Sequence, residues 1–415
     1  AEGGYGLEFT GSQITGSRDF EGHGTHVAGI AAGNDATFGG VAPGADLVIV
    51  KTSFQNAHIA DGIRYIFRVA RDMGRPAVIN LSLGGHFDPH DGTDPLSLLI
   101  NAESGRGRIV CCAAGNEGND NIHGQGIVPA NGNRTMRFRI PIRTVGTALL
   151  NGWYPGNCTF EISVRSPGGF VTPYQPIFAS GSPIRRYNLP DATVFIVTPG
   201  PDPTNGDHNF LVEIGPSALG TAVEGGIWQL RVRNTSANRG RLDVWTLDDQ
   251  PATATLFTGT SVQDRVKIGS PGSATSAITV AAYTTKIEWN DVDGIRRAVG
   301  LTLDDIADFS SEGPRRDNAR KPDVAAPGAM IGAALSADSN APRAMMIDAR
   351  HVIMAGTSMA TPFISGVVAL LLQRDPTLRP NDVKALLKAQ STIPGRKAGS
   401  FDAKWGFGLL DMLNL

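Results

Sequence analysis

Apolar and polar residues follow two different patterns along this 415-residue chain. Up to about residue 125, short apolar runs alternate with helix-like segments. ADLVIVK (45–51) reads as a strand and HIADGIRYIFRVARDMG (58–74) as a helix. In that helix Ile59, Ile63, Ile66, Phe67, Ala70 and Met73 keep the 3.6-residue period, and Gly74 and Pro76 supply the stop. PAVINLSLGG (76–85) and GRIVCCAAGN (107–116) are strands with little alternation, as expected when both faces of a parallel sheet are covered. Strand–helix–strand order of this kind predicts an α/β fold with a doubly wound, mainly parallel sheet.

From about 126 to 255 the helical period disappears. MRFRIPI, CTFEISVRS, NFLVEIG, IWQLRVRN and RLDVWTL are short, often alternating runs, separated by PGG, PGPDPTNGD and NTSANRG. They predict an all-β sandwich or jelly roll. After about 256 the first pattern resumes with SAITVAAY as a strand and ATPFISGVVALLLQ and NDVKALLKAQ as closing helices. The expected organisation is an α/β domain in two parts, 1–125 and 256–415, with a β-module at 126–255 set into a surface loop. Long loop insertions cost little in closure entropy, which makes this arrangement reasonable.

Composition narrows the function classes. A net charge of −2 and a pI near 6.5 give no basic footprint, so nucleic acid is not an expected partner. No apolar stretch approaches the ~18 residues of a membrane span. Cys111, Cys112 and Cys158 cannot make a disulfide framework and read as small buried hydrophobes. The chain begins AEGGYG, without Met or a basic-then-apolar leader, like the middle of a longer precursor.

Three segments carry candidate chemistry. In GHGTHVAGIAAG, His23 and His26 stand three apart with Gly24 and Thr25 between them. A helical zinc pair is more usually four apart with a glutamate between, so no metal site is expected. The small-residue run VAGIAAG continues as a helix ending at Gly33, which puts His23 at a helix N-terminus. There the macrodipole lowers an imidazole's pKa and favours the neutral form a general base needs. In MAGTSMATPFISGVVALLL, Ser358 opens a helix, with its hydroxyl exposed and backbone N–H groups nearby; it is either a nucleophile or an N-cap. Pro362 is expected within the tolerant first turn. In AAGNEG, Asn116 follows an apolar strand, where its amide could donate to an oxyanion or simply make a turn.

GHGTHVAGIAAG, INLSLGG, AAGNEG, KPDVAAPG and GTSMATPFISGVVALLL, in this order, resemble the signature blocks of the subtilase family of serine proteases. The resemblance covers most of 20–120 and 265–415. It implies His23 as general base, Ser358 as nucleophile, Asn116 as oxyanion-hole side chain, and His26 as a structural residue of the helix. It implies Ser82, Leu83 and Gly84 as the edge that pairs with extended substrate, and Glu117 as a residue of the specificity pocket. Asp323 to Gly328 and ADFSSEGP (307–314) match segments flanking the site. The expected reaction is hydrolysis of peptide bonds in peptide or protein substrates, with no cofactor required for the chemistry. NDATFGGVAP looks shorter than the family's calcium loop, so structural calcium is left open. The β-module's closing strands resemble jelly rolls that accompany proprotein convertases, and an internal jelly roll is known in subtilases of the spore-germination Csp type. A cover over the cleft is the expected role of that module.

The family's triad aspartate, which ends an early parallel strand, has no match in residues 1–22. Asp19 lies in GSRDFEG with no strand before it; Glu2, Glu8, Asp61 and Asp305 have no better context. The acid is therefore expected on an upstream N-terminal fragment. Two alternatives remain, a pseudoprotease kept as a regulatory binding scaffold and a transpeptidase that passes the acyl group to an amine. A secreted or cell-envelope location is favoured over the cytoplasm.

Overall fold

In chain order, the structure opens with α1 (His23–Ala32), α2 (Asn56–Asp72), β1 (Ala77–Leu81), α3 (Pro95–Glu103) and β2 (Arg108–Ala113). Ten strands follow: β3 (His123–Val128), β4 (Asn133–Ile140), β5 (Ala148–Tyr154), β6 (Phe160–Arg165), β7 (Ile184–Asn188), β8 (Thr193–Pro201), β9 (His208–Gly215), β10 (Gly226–Asn234), β11 (Gly240–Thr246) and β12 (Leu256–Thr258). The chain then forms β13 (Ile278–Thr284), β14 (Glu288–Asn290), β15 (Arg296–Ala298), β16 (Val324–Ala329), β17 (Ile331–Ala334) and β18 (His351–Met354). It closes with α4 (Thr357–Arg374), α5 (Pro380–Ala389), β19 (Ser391–Thr392) and β20 (Leu409–Leu410). This computed structural model describes residues 4–14, 18–142, 146–178, 182–218, 221–247 and 254–412, so Glu2 lies outside it. Two units divide them: one takes the residues up to Gly84, His90–Gly118 and Ile268 onward, the other Gly85–Pro89 and Asn119–Lys267.

The first unit is an α/β fold around the sheet β1-β2-β13-β16-β20-β19, parallel from β1 to β20 with β19 antiparallel at one edge. Its strands are apolar on both faces because helices cover both. From β2, Ile109 and Cys111 join a core with Ile364, Val368 and Leu371 of α4 and Leu387 of α5. Val110 and Cys112 point the other way, to Ile59, Ile63 and Phe67 of α2 and Ile100 of α3. Each such aliphatic side chain contributes roughly 1.5–3 kcal/mol on burial. The cysteines are free and buried, and burial pushes the Cys111 thiol up to about 12.

Two local features differ from the sequence pattern. The run 45–51 forms no strand; Leu47 and Ile49 are 55% and 69% exposed. Although β1 at the end of its sheet leaves one edge free, 45–51 makes no ladder with it, and β-propensity without a ladder makes no strand. Conversely α3, which has little apolar period, forms because Asp94 accepts the N–H groups of Leu96 and Ser97 and Pro95 occupies the first position.

The second unit consists of two antiparallel sheets, β12-β4-β10-β6 and β3-β11-β5-β9-β8-β7. One core joins them, including Phe138, Trp228 and Val232 from the first sheet and Leu150, Phe210 and Val244 from the second. Trp228 meets its polar requirement by donating Nε1–H to the Glu224 carbonyl at 2.9 Å. Among the described residues, no helix is long and apolar enough to cross a membrane.

Candidate active site

The carboxyl ends of β1 and β2 deliver two of the candidate segments, Ser82–Gly84 and Asn116, to one side of the parallel sheet, where open α/β sheets place their ligands. The other two arrive on helix N-termini, His23 as the first residue of α1 and Ser358 as the second of α4. His23, Asn116 and Ser358 line one cleft of about 520 Å³. Close packing of α1 allows this meeting: a Cβ on Gly29 would lie 3.0 Å from Ala334, and one on Gly366 of α4 would lie 2.5 Å from Val41.

Asn116 is held by its oxygen. Oδ1 accepts the Thr357 N–H at 2.9 Å and lies 3.0 Å from the Thr357 hydroxyl. A backbone N–H can only donate, which fixes the amide orientation and leaves Nδ2–H unused by the described residues. The Ser358 N–H, in the first turn of α4, likewise has no acceptor among the described residues. Two donors thus stand beside the serine with the positive end of α4 behind them.

Pro362 is the sixth residue of α4, beyond the first turn expected for it. Lacking an N–H, it leaves the Ser358 carbonyl without its helical partner. Ser82 supplies one, donating its hydroxyl to the Ser358 carbonyl at 2.8 Å. The Ser82 hydroxyl in turn accepts from Asn80 Nδ2 at 3.0 Å, and Asn80 Oδ1 accepts from Ser365 at 2.9 Å. The Ser358 hydroxyl turns toward the Ser82 carbonyl in a long contact of 3.5 Å, not toward His23. Catalytic hydrogen bonds of this kind commonly tighten only when substrate binds.

The histidine side is held differently. Burial pushes the His23 imidazole below its ordinary value near 6.5, and the charge of Asp19 partly opposes this. Asp19 is occupied by the turn ahead of α1: its carboxylate accepts from Gly22 N–H at 2.9 Å and from Thr25 N–H and hydroxyl at 2.8 Å each. Burial alone would raise its pKa, but these bonds and His23 hold it low. His26 is buried and donates Nε2–H toward the Ile331 and Val352 carbonyls at 3.0 and 3.1 Å, tying α1 to the β17–β18 pair. Burial takes its pKa down to about 4. Asp61 accepts the Tyr5 hydroxyl, and Glu8 lies 3.9 Å from Arg68.

Leu83 and Gly84 follow β1 as unpaired chain. The Glu117 carboxylate accepts the Ser311 hydroxyl at 2.7 Å, and Glu117 is not among the residues of the His23 cleft. The cleft's other wall comes from a segment that no motif or period in the sequence marks, Ser339–Pro342 with Met345, and from Phe20 and Glu21. Among the described residues, no group of three or more His, Cys, Asp or Glu side chains could hold a metal ion.

The sequence profile of the Subtilase family matches residues 10–149 and 211–408, breaking off inside the all-β unit. Serine protease AprX of Bacillus subtilis (strain 168) is 37% identical over 133 residues, which is 31% of this chain and 28% of that protein. Subtilisin-like protease SBT1.2 of Arabidopsis thaliana is 28% identical over 414 residues, 92% of this chain and 48% of that protein. The chain spans about half the length or less of these curated relatives. In fold, it resembles the Clostridium perfringens CspB protease with a TM-score of 0.76 at 24% identity, over 94% of this chain and 79% of that one.

Proposed function

Because this chain belongs to the subtilase family of serine proteases, we propose that its cleft hydrolyses peptide bonds through an acyl-enzyme on Ser358. His23 takes the Ser358 proton and returns it to the leaving amine. Asn116 Nδ2–H and the Ser358 N–H hold the oxyanion. The observation that carries this reading is the fixed Asn116 amide, whose oxygen is held by Thr357 so that its donor is left for the cleft. The unpaired chain at Ser82–Gly84 suits an extended substrate that adds a strand, and a polypeptide substrate is the partner this implies.

The reading includes an acid from outside this chain. Asp19 is committed to the helix cap, so we assign the orienting carboxylate to an upstream fragment whose strand pairs with the free edge of β1. Without it, turnover falls on the order of 10⁴-fold, a value set by serine proteases of the chymotrypsin and subtilisin types themselves. A second reading, a binding scaffold without turnover, draws on the Ser358 hydroxyl facing Ser82 and not His23.

Labelling with a fluorophosphonate, read by intact mass, separates them. Modification of the chain that disappears in Ser358→Ala is expected if His23 and Ser358 work together. A folded protein that takes no label, alone and in its full precursor, leaves the scaffold.

A further inference from the structure

The outer face of the sheet β12-β4-β10-β6 carries a regular array of guanidinium groups. Side chains alternate along a strand. So β4 buries Met136, Phe138 and Ile140 and presents Arg137 and Arg139, while β10 buries Trp228, Leu230 and Val232 and presents Gln229, Arg231 and Arg233. The register sets Arg137 opposite Gln229, Gln229 opposite Arg165 of β6, and Arg233 opposite Glu161. Among the described residues of these strands, five arginines thus share this face with one carboxylate, Glu161, which Arg233 already engages. Arg231 and Arg233 also lie over the Tyr174 ring, 5.1 and 4.5 Å from its centre. Arg137, Arg139 and Arg165 are exposed and have no ion-pair partner among the described residues.

Neighbouring like charges on a sheet repel one another, and an ordinary surface intersperses the two signs. In a chain with a net charge of −2, five of the 37 lysines and arginines meet on this one face. We propose that this face is a docking surface for an extended acidic polypeptide. Alternate residues of a strand repeat every ~6.8 Å, and so do alternate side chains of an extended ligand. A peptide with a carboxylate at every second residue therefore meets Arg137 and Arg139 together, and each planar guanidinium can take a carboxylate through two parallel N–H bonds. Gln229, between Arg137 and Arg165, offers the ligand a neutral donor and acceptor in the same row.

A single-stranded nucleic acid fits this face less well. Base stacking needs open aromatic rings, and here Phe138 and Trp228 are buried while Tyr174 is covered by two guanidinium groups. The surface is independent of any reaction at Ser358.

Fluorescence anisotropy of the whole chain with a labelled peptide of repeated Glu-Val pairs tests the proposal, beside a repeated Lys-Val peptide and an oligothymidylate. The Glu-Val peptide is expected to bind at about 50 mM salt and to weaken at about 300 mM as the charges are screened. Arg137→Glu/Arg139→Glu should weaken it by roughly tenfold or more, with an unchanged melting curve because both side chains are exposed and unpaired. Arg137→Lys/Arg139→Lys should lose only part. Absence of low-salt binding, affinity untouched by the charge reversal, or oligothymidylate binding more tightly than the peptide would each overturn the assignment.

Discussion

The serine side and the histidine side of the cleft are built to different standards. Around Ser358, Thr357 fixes Asn116, Ser82 satisfies the carbonyl that Pro362 abandons, and Asn80 and Ser365 extend the network. Around His23 no carboxylate of the described residues reaches the ring by a hydrogen bond; Asp19 holds the helix turn and acts on His23 through charge alone. In the reading proposed above, the nucleophile and its oxyanion donors are positioned by this chain, while the base has its helix and takes its orienting group from elsewhere. On that reading, the donors around Ser358 are preorganised by the hydrogen bonds of Thr357 and Ser82, while His23 has no such support.

Asn116→Asp attacks the stronger side hardest. The oxygen for Thr357 survives while the donor is lost and a negative charge replaces it, so phosphonylation or hydrolysis should slow on the order of 10²–10³-fold. An unchanged rate in a folded variant would mean that Asn116 is only a strut. Ser82→Ala is the next test, since it leaves the Ser358 carbonyl without a donor. About tenfold slower labelling is expected, matching ~1.4 kcal/mol for an unsatisfied group. Pro362→Ala restores a helical N–H to that carbonyl, and in its background the Ser82→Ala effect should largely vanish. Equal effects in both backgrounds would dissolve the link between the two residues.

Asp19→Asn probes the weaker side and should act least. Labelling rises with pH as His23 loses its proton, with a midpoint below the ordinary 6.5. The Asp19 charge raises that midpoint, so its removal should move it lower still; an upward shift would contradict the coupling. Stability follows its own sign. The Asp19 pKa is depressed in the folded chain, so its contribution is present above the unfolded value near 4 and is lost as pH falls through the folded one. The variant should show a flatter acid limb in thermal melts below about pH 4.

Much of the serine side was legible because its signals are local. Gly356–Thr357–Ser358 before an apolar helix marks a serine at a helix start, half-buried in the structure, and an apolar strand ending at Ala113 places Asn116 just beyond it. The Ser82 hydroxyl was not legible in its actual role, because its partner carbonyl is 276 residues away. The wall at Ser339–Pro342 carries neither period nor motif and becomes visible only as part of a cleft.

By itself the sequence determined that α1, α2, α4 and α5 are helical, where α1 and α4 begin, and that apolar residues alternate with Arg137, Arg139, Arg231 and Arg233. These follow from side-chain period and capping, which act over a few residues. Only the tertiary structure decided that 45–51 stays unpaired, that α4's missing hydrogen bond is met from the end of β1, and that β4 and β10 lie side by side so that two short arginine runs become one charged face. Each of those depends on which distant segments become neighbours, and strand pairing and topology, not local propensity, fix that choice.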